Sequence, residues 1–323
     1  MAIKTNKKAM YFTLLTIAFL TIFIFIFVIH QYQRLSDDML TIELRVDAMN
    51  DFIKNLNRDV ERGLYISSYR ALLSLEGYII SKGKFLNDTP NNFKEAVING
   101  TLFGENLSLM KDDAVTFPDW INNIKGQSRK LNINAEIITR NVSLYQKDPW
   151  FITIGVNYTL IVNDTTAIAS WTRQEYTETE ISIEGFEDPL YIVFGLGRVT
   201  NTINKTIFEN NYTFNINGTW NVSNLLAHID NSLYTANPNA PSFLARFQYN
   251  LSPSEYGIES MVNLEKLSEQ SIDINDGASI IDYHYFPDDG NGDYRINLTP
   301  SWVKIDDEHR AKYNVTAISY IVG

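Results

Sequence analysis

The chain contains no cysteine among its 323 residues. Disulfides, cysteine-ligated zinc and iron–sulfur clusters are excluded, so an exported domain must hold together by packing alone. Proline is absent before Pro90, and Gly63, Gly77 and Gly83 are the only glycines in that stretch. Little there forces a helix to stop. Basic residues are few: 27 Lys and Arg stand against 38 Asp and Glu, for a net charge of −11 and a pI of about 4.9. Such a chain lacks the basic stripe of a nucleic-acid binder, so no nucleic-acid partner is expected. Long apolar runs are missing too, with one exception near the N-terminus.

That exception lies within "NKKAMYFTLLTIAFLTIFIFIFVIHQYQ". Residues 9–29 are uncharged and mostly apolar. A helix of about 20 residues crosses a hydrocarbon core of roughly 30 Å. A cleaved signal peptide has a shorter apolar region, followed by a small-x-small site. Here the run continues into the bulky polar "HQYQRLSDD". The expectation is a retained single-pass anchor, with membrane lipid as the partner of residues 9–29. Lys4, Lys7 and Lys8 flank the run without an acidic neighbour, whereas Arg34 and Arg45 are mixed with Asp37, Asp38 and Glu43. The positive-inside rule then places the N-terminus in the cytoplasm and a C-terminal ectodomain outside the cell membrane.

Beyond the run, Leu35, Met39, Ile42, Val46, Met49, Ile53, Leu56 and Val60 alternate at spacings of four and three. This is a heptad seam, continued less regularly by Leu64, Ala71, Leu72, Leu75 and Ile79. The pattern predicts one nearly continuous helix over residues 9–81, on the order of 110 Å long. Gly83 and "NDTPNN" end it. The seam has two readings. It packs on the chain's own β-rich part, which is favoured for residues 64–79. Alternatively, over residues 35–60, it pairs with a second copy or another surface protein.

Short helices are predicted at "NFKEAVI" and "FPDWINNIKGQSRK". The period then changes to two. "NINAEIITRNVSLY", "WFITIGVNYTLIVND" and "TAIASWTRQEYTETEISIEG" read as an antiparallel meander, the last at an edge because neither of its faces is mainly apolar. A second β-rich stretch follows "EDPLYIVFGLG", with a hairpin signal at Asn217-Gly218 and a helix at "VSNLLAHIDNSLY". The fold class is α+β. The expected divisions are residues 1–30 (stub and transmembrane helix), 31–83 (helical stalk), 84–187 (meander region) and 188–323 (second α+β region).

Thirteen N-x-S/T acceptors occur: Asn87, Asn99, Asn106, Asn141, Asn157, Asn163, Asn204, Asn211, Asn217, Asn221, Asn250, Asn297 and Asn314. They imply surface positions on an exported glycoprotein, although an Asn- and Thr-rich chain also makes such triplets by accident. In "DDGNGD", the residues Asp289, Asn291 and Asp293 have the opening spacing of a calcium loop. Tyr294 and Pro300 stand where that loop needs glycine and glutamate, so a hairpin turn is the plainer reading. The histidines are His30, His228, His284 and His309. His284 would share a strand face with Asp282. A metal site drawing on His284, His309 and nearby carboxylates is the sharper reading; surface or half-buried histidine is the ordinary one. There is no G-x-S-x-G elbow, and "GLG" at residues 195–197 lacks the rest of a phosphate loop. No catalytic residue and no cofactor is expected.

With Lys7-Lys8-Ala9, the apolar run and the continuing helix in view, the N-terminus resembles an archaeal type IV pilin with a class III signal. The resemblance implies a processing junction between Ala9 and Met10 and an apolar helix that packs in a filament core. Tyr11 and Leu14 depart from the commonest pattern. The phrases "IEGFEDPLYIV", "YGIESMVNL" and "SIIDYHYF" resemble membrane-anchored archaeal surface proteins of uncharacterised activity. The expected function is a non-enzymatic anchored surface protein, pilin-like for assembly or adhesion. The alternatives are an extracytoplasmic ligand- or partner-binding module and an anchored hydrolase.

Overall fold

The computed structural model describes residues 7–111, 115–166, 169–208, 211–214, 219–288 and 290–320. One helix dominates it. α1 (Lys7–Lys82) runs for 76 residues without a break, because no proline removes a backbone donor over that length. Gly83, at φ +63, ends it with its N–H on the Ile79 carbonyl, the left-handed cap that glycine adopts without strain. α2 (Thr89–Asn99) starts at an Asp88 cap with Pro90 in its first turn. A two-strand ribbon, β1 (Thr101–Leu102) with β2 (Glu105–Asn106), leads to α3 (Phe117–Lys130). α3 opens on a Thr116/Asp119 capping box.

The predicted meander is present. β3 (Ile133–Asp148), β4 (Phe151–Asp164) and β5 (Ser170–Ser182) form an antiparallel sheet with β4 in the centre and β5 at an edge. Register places Val142, Val156 and Thr177 in one row, and Ile137, Leu160 and Arg173 in another. Partners in a row share a face. This face covers the distal half of α1 together with α2 and α3. Its β4 residues, Ile152 to Val162 in steps of two, are buried. The opposite face carries Tyr145, Lys147, Tyr176 and Glu178, joined by hydrogen bonds in solvent.

The α1 seam divides along its length. Leu35 and Met39 are 61% and 71% exposed, whereas Met49 and Leu56 are each 1% exposed. Self-packing therefore begins near Val46 and runs to Ile79, earlier than the sequence suggested. The part of the 35–60 seam open to another chain narrows to its first turns.

From residue 184 onward the elements are short. They are α4 (Pro189–Phe194), α5 (Ser223–Asp230), β6 (Tyr234–Ala236), α6 (Phe243–Arg246), β7 (Ile258–Ser260), α7 (Leu264–Glu269), α8 (Asp282–Tyr285), β8 (Tyr294–Ile296), β9 (Lys304–Ile305), α9 (Asp307–Lys312) and β10 (Ile318–Tyr320). β6 pairs with β7, and β8 lies between β10 and β9, all antiparallel. A second apolar cluster, including Leu225, Val262, Ile280 and Ile305, fills this region. Phe186 packs edge-on against Tyr69 of α1 and against Phe243, joining the two regions.

Two local expectations are corrected. The strand expected to carry Asp282 and His284 is absent there: after a bridge at Ile281 the chain turns into α8. Asp282 and His284 thus do not share a strand face. Residues 290–292 do not form a hairpin tip with the segments on either side of them. They run antiparallel to residues 277–279, with Ser279 N–H on the Gly290 carbonyl and Gly292 N–H on that of Gly277. Asn217 and Gly218 lie outside the described residues, and Phe214 and Trp220 beside them form an antiparallel bridge.

Candidate functional site

Two features stand out, one on each region. The first is the proximal half of α1. Every described side chain over residues 10–44 is exposed, including Phe12, Phe19, Phe23, Phe25, Phe27, Leu35 and Ile42. This is the one helix, among the described residues, long and apolar enough to cross a membrane. The hydroxyls of Thr13, Thr16 and Thr21 bond back to the carbonyls of Met10, Phe12 and Ile17. Such bonds satisfy a hydroxyl without water. The head begins at Arg45, whose Nη1 reaches Asp164 Oδ1 at 3.1 Å and Thr166 Oγ1 at 2.9 Å. That contact holds the β4–β5 turn to the helix. The Ala9–Met10 junction lies inside α1.

The second feature is a buried charged centre. Arg246 has no exposure. Its Nη1 reaches Asp188 Oδ2 at 2.6 Å and Asp282 Oδ2 at 2.8 Å, and its Nη2 donates to the Ile258 carbonyl. Tyr234 donates to Asp188, and Ser260 donates to Asp282 through both N–H and Oγ. Burial works against the Asp282 carboxylate and, despite Arg246, holds its pKa above the usual range.

Beside it, Glu259 of β7 is equally buried. It accepts hydrogen bonds from Asn237 and Tyr313, and Lys312 lies at 3.0 Å. His309 of α9 stands between two carboxylates, with Nε2 at 3.1 Å from Glu259 Oε2 and Nδ1 at 2.6 Å from Asp306 Oδ1. Burial opposes the imidazolium, but bonds to Asp306 and Glu259 raise its pKa to about 9. Burial also pushes Glu259 and Asp306 up, and His309 overrides it in both, leaving them below the usual carboxylate range. His284 of α8 approaches from the outer side, its ring centre 5.6 Å from that of His309.

The structure therefore brings together the two histidines that the sequence named, but on α8 and α9 and through Asp306. His228 lies elsewhere, buried against Thr206, and burial lowers its pKa to about 4. His30 is exposed on α1. Asn291 and Asp293 are exposed and belong to no converging His–carboxylate group; Asp289 falls outside the described residues. Of the acceptor asparagines, Asn217 also falls outside. Asn163 is half-buried and the other eleven are exposed, whereas buried Asn92, Asn201, Asn237 and Asn263 all lie outside N-x-S/T triplets.

Comparison with known proteins yields nothing. No family model, no curated protein and no solved structure matches the chain. Function must be argued from the geometry. Sequence reasoning missed Asp188, Arg246 and Glu259. For Arg246 and Glu259 the one signal was a lone charge inside an apolar phrase, "SFLARF" and "YGIESMV"; Asp188, beside Glu187, had none. The buried centre is closed by salt bridges, and the hydroxyl of Tyr283 lies 3.1 Å from His309 Nε2. Among the described residues, no serine hydroxyl is within hydrogen-bond distance of His309.

Proposed function

We propose that the chain is a non-enzymatic surface protein, anchored in the cell membrane by residues 9–29 with its head outside. One observation carries the reading. The same unbroken helix is apolar and exposed on all sides over residues 10–29 and has one face buried in its own head from Met49 to Ile79. In water the proximal half would leave a large apolar surface uncovered, which a bilayer removes. The lysine-rich N-terminal flank supports a cytoplasmic N-terminus, and exposed acceptor asparagines suit an extracellular, glycosylated head.

Leu35, Met39, Leu40, Ile42 and Leu44 extend the apolar surface beyond the span. At 1.5 Å per residue, residues 30–44 project roughly 20 Å past the hydrocarbon. A second copy of the chain, packing helix on helix as a pilin-like subunit does, would cover them. Protease applied to intact cells should remove the head and leave the anchor. Protection of residues 46–320 would overturn the orientation. Sequencing the mature N-terminus separates the two forms of the proposal. A start at Met10 supports the assembling subunit, and a start at Met1 or Ala2 supports a simple anchor. A start beyond Gln33 sinks both.

The binding-module reading keeps one observation. An open groove of about 390 Å³ lies between α1 and α3, lined by Phe52, Leu56, Trp120 and Ile124 with Asn55 and Gln127 at its rim. Trp120 is fixed there by a bond from its Nε1 to the Asp59 carbonyl and by the closeness of Gly63.

A further inference from the structure

We propose that His284, Asp306 and His309 form a binding site for one divalent transition cation of the zinc class. One ligand atom from each residue lies within 4.8 Å of the other two. Two imidazoles and a carboxylate suit zinc, cobalt or nickel; calcium and magnesium prefer oxygen alone. Three protein ligands leave a fourth position for solvent. His284 and Asp306 are only partly buried, the Asp306 side chain being 17% exposed, so an ion can enter from outside.

The surrounding contacts have the form that supports a metal-bound histidine. Such a histidine donates its other ring N–H to a carboxylate, which fixes the ring. Here Nδ1 of His309 faces Asp306, and Nε2 faces the fully buried Glu259. Asp306 is oriented in turn, since its Oδ2 accepts from Ser279 Oγ at 2.7 Å while Oδ1 accepts from the His309 N–H. Gly290 lets the His284 backbone sit close. A Cβ at that position would fall 2.6 Å from the His284 Cβ.

His309 Nδ1 and Asp306 Oδ1 stand 2.6 Å apart. A tetrahedral ion with bonds of about 2.0–2.2 Å spreads its ligand atoms to roughly 3.3–3.6 Å, so the pair must open by about 0.7–1 Å. Binding forms three metal–ligand bonds, and the Nδ1 proton leaves to solvent. The ion would tie α8 to α9 across the outer face of the buried centre.

The test uses the full-length, detergent-solubilised chain without a histidine tag. Cobalt(II) is titrated and read by its visible d–d absorption, and thermal unfolding is followed with and without zinc. The expected result is one cobalt per chain with a tetrahedral spectrum, and a rise in unfolding temperature with zinc but not with calcium. His284→Ala should weaken cobalt binding at least tenfold, and zinc should no longer raise that variant's own metal-free unfolding temperature. Asp306→Asn is the second variant and should also lose the spectrum. Absence of a stoichiometric cobalt spectrum in the unmodified chain overturns the proposal. So does unchanged binding in His284→Ala, which would mark the ion as adventitious.

Discussion

Between residues 46 and 183 the core is made of apolar side chains on mostly long, regular elements: one face of α1 against one face of a three-stranded sheet. Between residues 184 and 320 the strands are two or three residues long, and the interior holds charge. Asp188, Arg246, Glu259, Asp282 and His309 have no exposure at all, and all five lie in this second region. The contrast has a physical basis. A helix or a ladder satisfies its own backbone, so its side chains are free to be apolar. Short two-strand pairs and loops leave carbonyls and amides that side chains must meet, as Arg246 meets the Ile258 carbonyl of β7 and Asp282 meets its Ser260 amide. Such networks position irregular chain even where their net contribution to stability is small.

Breaking the charged centre should have the largest effect. Arg246→Ala strands two buried carboxylates and should cost about 3–5 kcal/mol in denaturant unfolding of the full-length chain. Replacing Arg246 by Met together with Asp188→Asn and Asp282→Asn should recover much of that loss. A cost below about 1 kcal/mol for Arg246→Ala would show that the two regions are held together alike.

Glu76 tests the junction between the regions. It lies on α1 and accepts the Glu187 N–H. Burial is the main cause that raises its pKa from 4.5 to about 7, with the nearby Glu187 charge adding to it. The folded chain therefore holds a proton between those values that the unfolded chain has lost. The contribution of Glu76 to stability is fully present below about pH 4.5 and falls as pH rises through 7, by on the order of 3 kcal/mol. Glu76→Gln should flatten that fall in unfolding curves taken between pH 4.5 and 7.5. An unchanged slope would assign the pH dependence to other groups.

A smaller change is expected in the aliphatic core. Ile154→Val on β4 removes one methylene from a fully buried site and should cost about 1 kcal/mol, without altering the denaturant slope. Leu40→Asp, on the exposed part of α1, should leave unfolding of the head unchanged. Its effect should fall on association, read by sedimentation in detergent. If it shifts neither association nor surface assembly, residues 35–44 are a bare stalk.

Much of the helix-and-sheet region was legible because its signals are local. A missing proline, a heptad seam and a change of period to two need no knowledge of distant residues, and α1, α2, α3 and β3 to β5 follow them. The second region was read less well. "SIIDYHYF" is rich in strand formers, yet it turns into α8, where Asp282 meets Arg246 and Ser260. "DDGNGD" reads as a turn, but its glycines run beside residues 277–279.

By itself the sequence determined the apolar span, the length of α1, the meander with its edge strand, and the exposure of most acceptor asparagines, because each depends on composition or periodicity. Only the tertiary structure decided where along the seam self-packing begins. Met39 and Met49 look alike in the repeat, and the sheet reaches only the second. Only the tertiary structure, too, set Arg246 between Asp188 and Asp282, and His309 between Glu259 and Asp306. These partners lie up to 58 residues apart. No local pattern encodes such pairings, since a charge becomes buried only when the folded chain delivers its counter-charge.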